Sequence, residues 1–319
     1  MDAAPAANIE GLADYDLDWS WVAGAPTNLG FTAIVRVKNE ERPLPWILPP
    51  LLKAVQRVIV VDNGSTDETV NVANRAAADA DLSERLEVRS YPFDVSRCGP
   101  EHLATPASSV HSLTYFYNWS FSLVRTSYAL KWDGDMLLTE VGVNALQDLA
   151  WQLEAVQRVV TMLRYPLYVA DHRTAFLDLA VVNREPWAWP NGPAFTHTKA
   201  FEWELPRWPA DIEMQSLPDW SCLELKFLDA DEFAHWSHDD FTTTTRTTRK
   251  QREQEVFRAL AGAADAPYGV VRIESPDDRH VIDYVRNDLV PNNRDELAER
   301  HREVVATAAK RKARASRSS

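Results

Sequence analysis

Between Phe31 and Leu138 the chain alternates short β-branched apolar runs with longer helical stretches, and this alternation constrains its fold more than any other feature. Phe31-Thr-Ala-Ile-Val-Arg-Val37 reads as a strand, because Val, Ile and Thr pack well on a pleated surface. Trp46 to Gln56 reads as a helix with Pro49 and Pro50 shaping its first turn. Arg57-Val-Ile-Val-Val-Asp62 is a second buried strand, broken at Asn63-Gly64-Ser65-Thr66-Asp67. A helix follows over Glu68 to Ala80, with Ser65 or Thr66 as its cap and Asp67 and Glu68 facing its dipole. Leu86 to Tyr91 is a third strand. The long loop through Cys98-Gly99-Pro100 points to a function, Ser109 to Arg125 is helical, and Tyr128 to Asp135 is the fourth strand. Such alternation predicts an α/β fold: a mixed, mostly parallel sheet flanked by helices.

Open sheets of this kind bind ligands outside the carboxyl ends of their strands. Three polar clusters fall there: Lys38-Asn39-Glu40, Asp62-Asn63-Gly64 and Asp133-Gly134-Asp135. Alone, Asp133-Gly134-Asp135 reads equally well as a hairpin turn. At a strand end, with Gly134 permitting unusual backbone angles, two carboxylates can converge on one hard cation and the phosphates it carries. The repetition at three strand ends favours the site.

Past the fourth strand, Gly142 to Ala155 reads as a helix and Arg158 to Leu163 as a strand. Tyr165 to Trp236 is Pro/Trp-rich and poorly periodic, with short strands at Ala175–Val182 and Glu224–Leu228, and a helix follows over Arg249 to Ala261. The expected organisation is an extension over 1–28, one main domain over 29–262 (two halves, 29–140 and 141–262), a small helical appendage over 263–309, and a basic disordered tail over 310–319. The net charge of −13 argues against nonspecific nucleic-acid binding, which needs a basic footprint. Two cysteines without a CxxC spacing fit a reducing cytoplasm, and no apolar run reaches the roughly 18 residues that span a bilayer. No signal peptide is recognisable at Met1-Asp-Ala-Ala-Pro.

Val35-Arg-Val-Lys-Asn-Glu-Glu41, Val58-Ile-Val-Val-Asp-Asn-Gly-Ser-Thr-Asp-Glu-Thr69 and Trp132-Asp-Gly-Asp135 together resemble family 2 glycosyltransferases with the GT-A, Rossmann-like fold. The resemblance covers about residues 30 to 140 and weakens beyond. It implies a nucleotide-sugar donor, a UDP-sugar by default, and a divalent metal, Mn²⁺ or Mg²⁺. It implies that Asp62 recognises the base or ribose, with Asn63 beside it, and that Arg36, Lys38 and Glu40 line the nucleotide pocket. It places Asp133 and Gly134 near the ribose and metal, Asp135 on the metal, and one of His235 and His238 as a further metal ligand, His238 being preferred. A metal on the diphosphate stabilises the leaving group, and a carboxylate then deprotonates the acceptor hydroxyl for one inverting displacement.

The family places that carboxylate after the Asp-Gly-Asp, commonly in a Glu-Asp pair, and this chain has none there. Asp219, flanked by Pro218 and Trp220, is the first candidate, followed by Glu224, Glu202 and Glu185. Arg97, on the long loop, is a candidate for the diphosphate, and the Thr242–Thr245 run with Arg246, Arg249 and Lys250 for a basic lid. The tryptophans Trp187, Trp189, Trp203, Trp208 and Trp220 suggest an acceptor with an apolar or ring face: a glycan, an aglycone or a protein. Two alternatives compete. A sugar nucleotidyltransferase would carry a Gly-rich basic loop where Lys38-Asn-Glu-Glu41 stands. A degenerate sugar- or partner-binding domain would not need Asp62, Asp133 and Asp135 intact.

Overall fold

The computed structural model describes residues 7–20, 28–153, 156–182, 184–230, 233 and 245–315. Its strands are β1 (Asn28–Val37), β2 (Arg57–Asp62), β3 (Leu86–Ser90), β4 (Thr126–Asp133), β5 (Met136–Leu138), β6 (Arg158–Met162), β7 (Arg164–Val169), β8 (Thr174–Asp178), β9 (Glu185–Pro190), β10 (Thr196–Ala200), β11 (Trp203–Arg207), β12 (Glu213–Ser216), β13 (Cys222–Phe227) and β14 (Val270–Glu274). The helices are α1 (Leu44–Ala54), α2 (Thr69–Asp79), α3 (Pro100–Ala104), α4 (Leu113–Ser122), α5 (Glu140–Gln152), α6 (Thr245–Ala261), α7 (Val281–Tyr284), α8 (Val290–Asn292) and α9 (Arg294–Ala315).

One sheet has seven strands in the order β12-β6-β9-β4-β1-β2-β3. It is mostly parallel, with β9 running antiparallel to both its neighbours, β4 and β6. The chain moves outward from β1 to β3, then returns to place β4 on the other side of β1. This reversal makes a switch point between β1 and β4, where a crevice opens beyond the strand ends.

Alternation along the strands assigns their two faces. Ala33, Val35 and Val37 of β1, with Leu130 and Trp132 of β4, join the core under α1 and α5. Ile34 and Ala129 join the opposite core, under α4. Burying each large apolar side chain contributes roughly 1.5–3 kcal/mol. The face under α4 therefore also carries Arg36, Lys131 and Asp133, at the same parity, toward the crevice.

Several local expectations change. Pro49 and Pro50 lie inside α1, and Pro45 takes the first-turn position. The lost amide bonds are offset by packing, since Leu44, Ile47, Leu48, Leu51 and Leu52 are fully buried. Ser65 and Thr66 do not cap α2: they bond Asn39 across the gap from β1, and the Thr69 amide donates to Asp67 Oδ1 at 3.0 Å. α4 runs from Leu113 to Ser122, capped by Ser112, and so begins later and ends earlier than the expected Ser109 to Arg125. The Pro/Trp-rich stretch supplies β7 through β13, because cross-strand packing outweighs its weak periodicity.

A second sheet, in the order β14-β8-β7-β13-β5, packs beside the first, and β10 and β11 form a separate hairpin. The C-terminal part contributes β14 as well as helices, and Val281, Ile282, Val285, Val290 and Leu297 enter the main core. The segment expected to be a disordered tail is helical through Ala315, where α9 ends. Its Ala, Lys and Arg content favours helix, and basic residues suit a helix C-terminus. Among the described residues no helix is long and apolar enough to cross a membrane.

The Asp133-Gly134-Asp135 turn is not a hairpin. β4 before it belongs to the seven-stranded sheet, and β5 after it pairs antiparallel with β13 in the other. The turn is thus the joint between the two sheets. α5 is seated against the same joint: the Thr139 side chain caps it by accepting from the Gly142 amide, and a Cβ on Gly142 would lie 2.2 Å from the Ser221 carbonyl oxygen. Gly142→Ala is therefore expected to cost about 1–3 kcal/mol by overpacking, read as a lower urea midpoint at unchanged m-value. A wild-type midpoint would show that α5 shifts freely against β13.

Candidate active site

The end of β4 is held from both sides. Arg36 Nη2 donates to Asp133 Oδ1 at 2.8 Å, and its guanidinium lies 3.5 Å over the Tyr117 ring of α4. Lys131, two residues before Asp133 and on the same face, sets its ammonium over the Trp187 and Tyr117 rings. Trp132 points to the other face, where its indole N–H donates to the Met136 carbonyl at 2.7 Å and pins the turn. Gly134 does not adopt a left-handed conformation. Its need for glycine comes from the Glu40 side chain, whose Cγ lies 2.8 Å from where a Cβ would stand.

The second sheet brings the remaining charges. The Leu225 amide donates to the Asp135 carbonyl at 2.8 Å, which fixes Asp135 against β13. On β13, Glu224 and Lys226 share a face, two residues apart. Lys226 Nζ bridges Asp135 Oδ2 at 2.8 Å and Glu224 Oε1 at 2.9 Å. Arg164, opening β7, pairs with Glu224 at 3.1 Å and Glu185 at 3.0 Å. From α6, Arg249 and Lys250 reach Glu224 at 3.4 and 3.7 Å, and both also pair with Glu253. Asp135, Arg164, Glu185, Glu224, Arg249 and Lys250 line a cleft of roughly 460 Å³, together with Trp189, Trp203, Glu204 and Pro206.

Position decides the charge state of each acid. Burial would raise the Asp133 carboxyl, but Lys131, Arg36 and Arg164 outweigh it and hold it below the usual range. Burial would likewise raise Glu224, and Arg164, Lys226, Lys250 and Arg249 hold it well below. Asp135 goes the other way: burial pushes it up, the Lys226 ammonium offsets part of this, and the Glu224 and Asp133 carboxylates add to the rise. Burial, then Lys131 and Arg36, keeps His197 neutral.

The structure gathers some of the expected residues and separates others. Asp133, Asp135, Glu185 and Glu224 line the cleft, and Arg36 backs Asp133. Asp62 accepts from the Ser65 amide at 3.1 Å, beside but not within the cleft lining. Asn63 is not poised for a ligand: its side-chain amide donates to the Tyr91 and Phe93 carbonyls. Lys38 lies 3.8 Å from Asp94, and Arg97 is exposed on its loop. Asp219 is paired with Arg184 at 2.5 Å and does not line the cleft, and neither does Glu202, at the β10–β11 turn. Glu224, locked ionised among four cations, is a poor proton acceptor, so its place as a base is withdrawn. His235, His238 and the Thr242–Thr244 run lie outside the described residues. Of the tryptophans, Trp189 and Trp203 reach the cleft, whereas Trp220 stacks on Tyr165 in the core with ring centroids 3.7 Å apart.

Sequence reasoning missed Lys131, Arg164, Lys226, Glu204 and Tyr117. Lys131 and Lys226 carry a signal: each is a lone cation in an apolar strand, two residues from an acid on the same face.

The donor set of Asp133 and Asp135 is of the hard oxygen type that Mn²⁺ or Mg²⁺ takes. Among the described residues, however, no group of three His, Cys, Asp or Glu side chains is disposed to hold a metal ion. An oxygen of Asp135 is already on Lys226. A cation at this corner would draw on Asp133 and Asp135, would have to displace the Lys226 ammonium, and would need ligands from outside the described residues.

No protein-family model matches the chain, and no curated protein matches it. Among solved structures, S. aureus TarS 1-349 aligns at 20% identity over 43% of this chain and 36% of that one, with a TM-score of 0.31. Glucosyl-3-phosphoglycerate synthase from Mycobacterium tuberculosis, in complex with Mn²⁺, UDP-Glc and phosphoglyceric acid, aligns at 16% identity over 47% of this chain and 46% of that one, with a TM-score of 0.26. The chain thus spans less than half the length of either.

Proposed function

We propose that the chain is a GT-A-type glycosyltransferase that moves a sugar from a nucleoside diphosphate sugar to an acceptor hydroxyl with inversion. The observation that carries this reading is the position of Asp133 and Asp135 at the β1/β4 switch point, in a cleft also lined by Lys131, Arg164, Arg249 and Lys250. Such a cleft pairs carboxylates, which suit hydroxyls or a hard cation, with ammonium and guanidinium groups, which suit a diphosphate. Asp62 and Glu40, beside the cleft, take the nucleoside, and a UDP-sugar is the proposed donor.

Within this reading, Arg36 holds Asp133 ionised and oriented, while Lys131 and the α6 cations meet the phosphates. Trp189 and Trp203 form an apolar wall that keeps water from the sugar and offers a ring platform to the acceptor. A divalent cation bound at Asp133 and Asp135 would supply charge stabilisation to the departing diphosphate. The test is a thermal-shift screen of UDP, GDP, ADP and CDP with and without Mn²⁺. Ligand at about 100 times its Kd stabilises by about 2.7 kcal/mol, so one diphosphate is expected to raise the melting temperature well beyond the others. Equal, negligible shifts with all four would overturn the donor assignment, and a UDP shift indifferent to Mn²⁺ would remove the metal.

A further inference from the structure

Four of the five acids that line the cleft are each committed to a cation. Asp133 is 2.8 Å from Arg36, Asp135 2.8 Å from Lys226, Glu185 3.0 Å from Arg164 and Glu224 2.9 Å from Lys226. Glu204 differs. It lines the same cleft, is 6% exposed, and forms no ion pair among the described residues. Its Oε2 is buried without a hydrogen-bond partner. A buried carboxylate oxygen left unpaired costs free energy, so its place on a ligand cleft calls for a donor that arrives with the ligand.

The hairpin explains how Glu204 comes to be there. Lys199 stands opposite Glu204, and His197 opposite Pro206, in the β10–β11 register. Opposed residues in an antiparallel pair share a face, so His197, Lys199, Glu204 and Pro206 share one; the Lys199 ammonium turns to the Leu103 and Thr105 carbonyls, and the other three line the cleft. His197 is fixed by Asn118, which bonds both its backbone groups, and its ring nitrogen Nδ1 is also buried without a partner. Two unpartnered polar atoms thus stand on one hairpin face, in residues that line the same cleft as Asp133 and Asp135.

We propose that Glu204 is the base that activates the acceptor, and that the β10–β11 hairpin is the acceptor side of the cleft. This rests on the glycosyltransferase reading. The acceptor hydroxyl gives its proton to the Glu204 carboxylate. Its oxygen bonds the anomeric carbon as the bond from that carbon to the diphosphate oxygen breaks, and the electron pair leaves with the diphosphate. His197 is a positioning residue that hydrogen-bonds a second polar group of the acceptor.

The test uses the full chain with water as acceptor and UDP-, GDP- and dTDP-glucose as probes. Nucleoside diphosphate release reports turnover, and calorimetry with the free diphosphates reports donor-side binding. For the best probe, Glu204→Gln is expected to lower kcat by about a hundredfold or more, with donor KM and diphosphate affinity unchanged within about twofold. Glu204→Asp, which keeps the carboxylate one methylene back, is expected to retain part of the rate, and circular dichroism checks that both variants fold. Wild-type turnover in Glu204→Gln, or a loss of diphosphate affinity in a folded Glu204→Gln, overturns the role of Glu204. So does wild-type protein that binds a diphosphate yet hydrolyses none of the probes. Wild-type protein that binds no diphosphate overturns the glycosyltransferase reading, and this proposal with it.

Discussion

Replacing Glu224 with leucine is expected to destabilise the protein by about 3–5 kcal/mol, the largest single effect in the cleft. Glu224 is 2% exposed and compensates Arg164, Lys226, Arg249 and Lys250. Without it, those cations are left to Asp135, Glu185 and Glu253, and buried uncompensated charge costs far more than the pair itself contributes. Against a total stability of about 5–15 kcal/mol, the variant should sit near the edge of folding. The acid response carries the same sign. The folded-state pKa of Glu224 is depressed, so its contribution is complete above the ordinary glutamate range and is lost only as pH falls through the depressed value. Urea midpoints measured from neutral pH downward should therefore begin to draw together for wild type and Glu224→Leu only below the ordinary glutamate range. A loss under about 1 kcal/mol at neutral pH would mean that water, not Glu224, compensates the cations.

Asp135→Asn is expected to divide function from stability. Burial and the carboxylates of Glu224 and Asp133 make the charged form of Asp135 costly, and Lys226 repairs this only in part. A folded-state pKa above the unfolded value means that ionised Asp135 works against folding at neutral pH. Removing the charge should raise stability. The same change takes away an oxygen charge at the diphosphate corner, and release of nucleoside diphosphate from the donor should fall about a hundredfold or more. A variant less stable than wild type would contradict the electrostatics. A variant that turns over normally would remove Asp135 from the site.

Much of the parallel half was legible because it depends on local pattern. Arg57 to Asp62 is a strand at the expected boundaries, and β1, β3 and β4 differ from expectation by a few residues at their ends. β1, β2 and β4 are largely buried and apolar, and the runs are punctuated by Gly, Pro or Asp, so each signal acts within a few residues. The antiparallel half was not legible in the same way. β9 and β11 carry Pro and Trp, β10 and β12 are short and polar, and β9 and β12 are stabilised by partners distant in sequence, so neither period nor propensity marks them.

The sequence by itself determined the strand–helix alternation, the three polar strand ends and the Asp133-Gly134-Asp135 turn, since backbone propensity and side-chain parity are properties of neighbours along the chain. Only the tertiary structure decided what that turn is. It joins two sheets, it meets Lys226 from a strand 91 residues away, and it shares one cleft with Arg164 from another strand and Glu204 from a hairpin. Charge state and reactivity depend on distance in space and on desolvation. Asp219, first choice by local context, therefore lies with Arg184 outside the cleft, while Glu204, unremarkable in sequence, stands inside it.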